Sequence, residues 1–149
     1  MNDEFCYLLR VRYAECDAQK VVFNGKYVEY IDVAVTEFTR AIWGDYNELL
    51  SRGIDSQVVK LTVDWVAPAH FDEVIAITVK AIRVGTTSYA LQIDFYNYEK
   101  SIKISSAEII YVMVSATQHI KMEIPADMRQ QLETGARGVQ VDHAAARNS

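Results

Sequence analysis

The residues best placed for chemistry in this sequence are a carboxylate and a helix start that follow one another closely. Asp17 lies seven residues before Asn24-Gly25, where an amphipathic helical pattern begins. A helix start presents free backbone N–H groups and the positive end of the helix dipole. The carboxylate could attack an acyl carbonyl or activate water, and the N–H groups could hold the resulting oxyanion. The arrangement suits acyl transfer, although an isolated aspartate before a loop is usually a turn or capping residue.

The other reactive side chains combine into a site less readily. Cys16 adjoins Asp17, but a cysteine nucleophile needs a paired base, and none of the three histidines lies near it in the sequence. Cysteine, histidine and carboxylate residues do not show the spacing of metal ligands, so we expect no metal. The two cysteines form no CxxC motif and indicate reduced thiols in a cytoplasmic protein.

A strand before Asp17 and a long helix after it must position the carboxylate. Residues 5–13 alternate apolar and polar side chains, which predicts a half-buried strand. Asn24 is a candidate N-cap for the helix, whose apolar side chains recur with a helical period. The apolar face comprises Tyr27, Val28, Tyr30, Ile31, Ala34, Val35, Phe38, Ala41 and Ile42.

The second half of the chain predicts a sheet. A short helix opens at Asp45, and from residue 57 the apolar period changes to two, which marks four strands joined by short connections. Short connections favour antiparallel pairing. A strand, a long helix and four further strands therefore predict an α+β fold. In this fold an antiparallel sheet of five strands would wrap around one long central helix.

The last part of the chain predicts a short helix and then a tail. Pro125 precedes a helical segment from Ala126 to Thr134, and little apolar patterning follows Gly135. We therefore predict one domain over residues 1–134 and a flexible C-terminal tail over residues 135–149.

Composition and charge disfavour several classes of protein. Half of the 149 residues are hydrophobic and 23% are charged, as in an ordinary globular domain. The net charge of −5 argues against nucleic acid as a partner. The sequence contains no apolar stretch long enough to span a membrane, and its first residues do not resemble a signal peptide.

The segment around Asp17 resembles a known motif. Residues 17–27 are similar to the D-x-x-G-x-V-x-x-x-x-Y signature of the hotdog-fold acyl-CoA thioesterases, in the 4-hydroxybenzoyl-CoA thioesterase-like family. The resemblance extends over about residues 5–125 and includes Gly85 and Ser88. Lys20 stands where the family usually has glycine. If this position needs a positive φ, the lysine costs of order 1 kcal/mol.

The resemblance implies a hotdog fold and a thioester hydrolase. The family aspartate at the position of Asp17 acts as a nucleophile or as a general base. The N–H groups at Asn24 and Gly25 would polarise the thioester carbonyl. Tyr27 could line the acyl pocket, although an aromatic residue on an apolar helix face is more often a core residue. Residues 87–88, Thr87 and Ser88, would contact the CoA portion, or they form a plain hairpin turn.

The resemblance also implies the partners. The substrate would be an acyl-CoA or acyl-carrier-protein thioester, no cofactor would be needed, and a homodimer or homotetramer would form its sites at the subunit interface. Two alternatives stay open. One is a hotdog enoyl-CoA hydratase or dehydratase, which would use a histidine with a carboxylate. The other is a non-catalytic acyl-binding protein with this fold.

Overall fold

A six-stranded sheet carries a long helix on one face in the computed structural model, which describes residues 3–146. A 3-10 turn, Tyr13–Glu15, follows the first strand. The order of strands across the sheet is β2-β5-β4-β3-β1-β6. The elements in chain order are β1 (Phe5–Arg10), α1 (Lys26–Trp43), α2 (Tyr46–Ser51), β2 (Ile54–Trp65), β3 (Val74–Val84), β4 (Ser88–Asn97), β5 (Lys103–Ser115), α3 (Ala126–Thr134) and β6 (Gln140–Asp142).

The predicted apolar face of α1 forms the centre of the core. Phe38 is fully buried and meets the ring of Phe5 edge to face at 5.5 Å, which anchors α1 to β1. Burial of each large apolar side chain contributes about 1.5–3 kcal/mol. Val28 and Ala41 belong to the predicted face but are exposed. The side chains of α1 that are buried are Tyr27, Tyr30, Ile31, Ala34, Val35, Phe38 and Ile42.

The sheet does not enclose α1, so the prediction that it wraps around a central helix is wrong in this detail. Val28 and Val33 lie on the side of α1 away from the core and are exposed. The helix lies on one face of the sheet, because one open sheet buries only one stripe of a helix packed on it. The other stripe is free to contact another surface.

The number of strands also differs from the prediction. Strands β1 to β5 are antiparallel to their neighbours, as expected, but β6 adds a sixth strand that pairs in parallel with β1. This strand lies in residues 135–149, where we expected a flexible tail; residues 147–149 lie outside the described part of the chain. Ala144 and Ala146 are buried against Leu8 and Ala76 on the second face of the sheet. Alanine side chains are too small to mark such burial in a sequence pattern.

The opposite edge of the sheet is a long strand whose outer side has no partner strand among residues 3–146. This edge is β2, and it pairs on one side only, with β5. Val58 and Val59, near its middle, are 54% and 59% exposed, and the pairing register shifts between Val58 and Lys60. Long exposed edge strands with apolar side chains favour association. The helices within residues 3–146 include none long and apolar enough to cross a bilayer.

Candidate active site

Asp17 occupies the first position of a tight turn in a small hairpin. Its N–H donates to the carbonyl of Val21 at 2.9 Å, and its Oδ1 accepts the N–H of Gln19 at 2.8 Å. Such a side-chain bond to the second following residue is the mark of an Asx turn. The structural interpretation of Asp17 as a turn residue therefore holds. The side chain is nevertheless exposed, with one carboxylate oxygen left for other contacts.

Lys20 adopts the left-handed conformation that glycine favours. Its φ is 65°, and its N–H donates to the carbonyl of Asp17 at 2.9 Å. The turn thus keeps the backbone geometry that the family's glycine would provide. The cost, of order 1 kcal/mol, is the steric penalty of a Cβ in this region.

The start of α1 carries two N–H groups that find no acceptor in the described part of the chain. The N-cap is Gly25, and no side chain caps the helix, so the prediction of Asn24 as N-cap is wrong. Neither Asn24 nor Gly25 donates a backbone hydrogen bond to any acceptor within residues 3–146. Free N–H groups at a helix start are suited to hold an anion.

A buried carboxylate joins this loop to the helix. Glu15 is 8% exposed, and its Oε1 accepts the N–H of Arg12 at 2.8 Å and the hydroxyl of Tyr30 at 2.9 Å. Its Oε2 accepts two bonds from the Arg12 guanidinium at 3.2 and 3.3 Å. Burial, together with Glu15, raises the pKa of Tyr30 well above its ordinary value, so the phenol stays a donor.

Sequence reasoning missed a histidine on the segment that pairs with the Asp17 hairpin. Val21 forms an antiparallel bridge with His70, so Asp17, Val21 and His70 lie in one row across three short segments. Residues opposite one another in such a row share a face, and the outer two backbones are about 10 Å apart. His70 Nδ1 lies 3.2 Å from Oε1 of Glu73. The spacing of His70 and Glu73, three residues apart, was the sequence feature that could have marked His70 as a candidate site residue.

The geometry disfavours Cys16 as a nucleophile. Its Sγ lies 3.8 Å from the carbonyl oxygen of Arg12, a contact with a backbone acceptor. Burial, together with the carboxylates of Glu15 and Asp17, raises the pKa of the Cys16 thiol. A raised pKa removes the thiolate that such chemistry needs.

Tyr27 is a core residue. Its side chain is almost fully buried, and its ring contacts Tyr30, Trp65 and Phe95 edge to face at 5.4–5.9 Å. Burial raises the pKa of Tyr27 to about 12. The structure therefore does not bring Tyr27 to an open surface beside Asp17.

Thr87 and Ser88 lie at the opposite end of the sheet from Asp17. The Asp17 hairpin contacts residues 69–70, just before β3, whereas Thr87 and Ser88 follow the end of β3. Strand β3 has 11 residues, so about 30 Å separate its ends. The carbonyl of Thr87 accepts the N–H of Met113, which ties the turn to β5. The structure therefore does not bring Thr87 and Ser88 close to Asp17 within one chain.

A cavity of about 520 Å³ lies at the same end of the sheet as Thr87, between the second half of α1 and the first residues of β2 and β4. Its walls include the stacked rings of Tyr89 and Tyr111, 5.2 Å apart, and Trp43, 5.7 Å from Tyr89. Burial, with a contribution from Asp32, raises the pKa of Tyr111 to about 12. The polar side chains that line the cavity are Asp32, Thr36, Thr39, Arg40, Asp45, Asn47, Asp55 and Ser56.

The part of the chain that the structure describes holds no group of three histidine, cysteine or carboxylate side chains placed to bind a metal ion. The chemistry available at the Asp17 end is that of a carboxylate, a histidine and free N–H groups. These groups can attack or protonate a carbonyl compound.

This sheet with its long helix is the hotdog class of α+β fold, and the comparisons with known proteins agree. A 1,4-dihydroxy-2-naphthoyl-CoA thioesterase from Synechocystis superposes with a TM-score of 0.77 at 16% identity, covering 86% of this chain and 94% of that one. A gentisyl-coenzyme A thioesterase superposes with a TM-score of 0.74 at 24% identity, covering 85% and 98%. At these identities the likeness shows the fold.

The sequence comparisons identify the family. The model of the thioesterase-like superfamily matches residues 11–132. The acyl-CoA thioester hydrolase YbgC of Escherichia coli is 29% identical over 110 residues, which cover 74% of this chain and 81% of that protein. The chain therefore belongs to the thioesterase-like superfamily, and its enzymatic class is thioester hydrolase. The resemblance stated from the Asp17 motif is confirmed.

Proposed function

We propose that this protein hydrolyses an acyl-CoA thioester to a free acid and CoA, with Asp17 as the reacting carboxylate. One observation carries the proposal. An exposed Asp17 and the unpartnered N–H groups of Asn24 and Gly25 belong to one hydrogen-bonded loop at the start of α1. The relatives named above support CoA as the carrier, and no cofactor is required. The two free cysteines support a cytoplasmic location.

Two routes use the same groups. As a nucleophile, Asp17 attacks the thioester carbon, the C–S bond breaks, CoA leaves as a thiol after taking a proton, and water then cleaves the mixed anhydride. As a general base, Asp17 takes a proton from water, whose oxygen attacks the same carbon; the C–S bond then breaks, and CoA leaves as a thiol after taking that proton. In both routes negative charge builds on the carbonyl oxygen. The N–H groups of Asn24 and Gly25 would hold it, and each such donor is typically worth about 3 kcal/mol.

The site is completed by a second copy of the chain. Strand β2 is a long apolar edge, and a two-fold pairing of two such edges would set its Trp65 end against the partner's Ile54 end. Asp17 of one chain would then approach the cavity and the Thr87-Ser88 turn of the other. We therefore propose a homodimer, or a homotetramer built from such dimers, in which that cavity receives the acyl group.

A thiol-release assay tests the proposed role of Asp17. Free CoA is measured with aromatic and aliphatic acyl-CoA esters, and with acyl-carrier-protein thioesters to distinguish the carrier. We expect Asp17→Asn to lower kcat by about 10²–10⁴-fold. Asp127→Asn is the matched control, because Asp127 is an exposed aspartate on α3. Equal activity of the Asp17→Asn variant and the wild type would exclude this role.

The pair of His70 and Glu73 favours a second candidate function. A histidine beside a carboxylate suits the addition of water to an enoyl-CoA, in which the imidazole moves the proton. Hydration of an enoyl-CoA is measured in parallel, with His70→Gln as the variant. Hydration that depends on His70 and exceeds hydrolysis would replace the first proposal. Tight acyl-CoA binding without either reaction would indicate an acyl-binding protein instead.

A further inference from the structure

The carboxylate of Glu15 is the most thoroughly hydrogen-bonded side chain near Asp17. It is 8% exposed and accepts four bonds, three from Arg12 and one from the hydroxyl of Tyr30. Carboxylates are rarely buried unless they are paired in this way. Tyr30 lies on α1, and Arg12 lies between β1 and the loop. The side chain of Glu15 therefore ties the helix to the chain that enters the Asp17 turn.

The backbone of Glu15 holds the other arm of the same loop. Its carbonyl accepts the N–H of Phe23 at 3.0 Å, and Phe23 directly precedes the free N–H groups of Asn24 and Gly25. Asp17 is two residues from Glu15 on the opposite arm. One residue thus connects the reacting carboxylate, the oxyanion donors and the second turn of α1.

We propose that Glu15 is a positioning residue, which acts through Tyr30 to hold Asp17 at a set distance from the N–H groups at the start of α1. This inference rests on the proposed function. Asp17 itself lies on an exposed turn with a left-handed lysine, so its own contacts do not fix its place relative to the helix. Misplacement of a reacting group by about 1 Å can lower a rate 100-fold.

The Tyr30→Phe variant tests the link while removing a single oxygen atom. We expect kcat to fall about tenfold or more, with KM within about twofold of the wild type, since substrate contacts are retained. Tyr7→Phe is the matched control. Tyr7 and Tyr30 are both 5% exposed, and the Tyr7 hydroxyl also has one hydrogen bond, to His143 Nδ1 at 3.0 Å, on the C-terminal segment. If the role of Tyr30 is only structural, both variants lower the melting temperature alike and leave kcat unchanged.

Limited trypsin digestion provides a second readout that needs no activity. Lys20 lies at the exposed tip of the loop, and cleavage after it is followed by mass spectrometry. We expect Tyr30→Phe to raise the initial rate of this cleavage several-fold over both the wild type and Tyr7→Phe.

The two readouts separate the failure of each proposal. If the wild type hydrolyses no thioester, the proposed function fails, and the cleavage rate at Lys20 still decides whether Tyr30 holds the loop. An unchanged kcat in an active enzyme overturns the positioning role. An unchanged cleavage rate overturns the claim that the hydrogen bond between Glu15 and Tyr30 restrains the loop.

Discussion

Asp17 and Thr87 lie at opposite ends of the sheet in a single chain, with the length of β3 between them. The cavity next to Tyr89 lies at the Thr87 end. In the homodimer proposed above, a site that uses the carboxylate and the cavity together takes one from each of two chains. The proposed sharing of the site between two chains can therefore be tested by mixing two inactive variants and measuring their activity.

We expect two inactive variants to complement each other. Asp17→Ala removes the carboxylate, and Thr36→Trp fills the cavity from an exposed position on α1. Each homodimer should be inactive. After co-expression and random pairing, half of the dimers are mixed and each holds one intact site, so about a quarter of the wild-type activity should return. Activity is measured by CoA release from the mixed sample.

The control for complementation is a mixture of two proteins that carry the same substitution, which should stay inactive. In a separate measurement, light scattering of the wild type should show a dimer or tetramer at micromolar concentration. Sites contained within one chain would leave the mixed sample inactive, and this outcome would contradict the shared site.

We expect Lys20→Gly to stabilise the protein by about 1 kcal/mol. Lys20 has a φ of 65°, and glycine adopts this conformation without the clash of a Cβ. The free energy of unfolding is measured by denaturant titration. Lys20→Ala is the control, since it removes the charge but keeps the Cβ. An equal gain from both substitutions would assign the effect to charge and not to backbone strain.

The two thiols should react at very different rates. Burial raises the pKa of Cys6 to about 11, so at pH 8 only about one molecule in a thousand carries the thiolate. Cys16 is partly exposed. A disulfide reagent should therefore modify Cys16 first, and Cys6 only after addition of denaturant. Cys16→Ser should abolish the fast phase; rapid labelling that persists in this variant would show that the segment over Cys6 opens readily.

The same raised pKa has a consequence for stability. The pKa of the Cys6 thiol is higher in the folded than in the unfolded state. Its contribution to the free energy of unfolding is therefore complete below pH 9 and is lost as the pH rises towards 11. Replacement by alanine should flatten this part of the stability profile. The tyrosines with raised pKa values contribute in the same direction, so the comparison with the wild type is made at each pH.

Removal of residues 136–149 should destabilise the protein by on the order of 2 kcal/mol. The deletion removes β6, its pairing with Tyr7 and Leu8, and the cover over the apolar patch on the second face. The melting temperature is the measurement, and removal of residues 147–149 alone is the control. Equal stability of both truncated proteins would show that β6 contributes little.

Local features of the sequence predicted much of the fold. The helical period selected all seven buried residues of α1, together with the exposed Val28 and Ala41, and α3 has the predicted bounds, Ala126–Thr134. The buried face of α1 and the bounds of α3 depend on side chains within a few residues of one another. The period of the apolar residues shows such local patterns directly. The turn at Asp17 and the left-handed Lys20 are similarly local, because they follow from side-chain and backbone contacts between near neighbours.

Pairing between distant segments was decided by the tertiary structure. His70 pairs with Val21 of the Asp17 hairpin, Thr87 lies far from that hairpin, and Glu15 contacts Tyr30. The sequence pattern of each residue alone predicts none of these relations. The same holds for β6, whose small side chains carry no strong period. The sequence by itself predicted the class of fold and the long helix, and it singled out Asp17 as the candidate carboxylate, since these depend on local order and on a short motif. Only the packing of the sheet decided which side chains lie close together. Strands that are far apart in the sequence pair because pairing buries their apolar faces together.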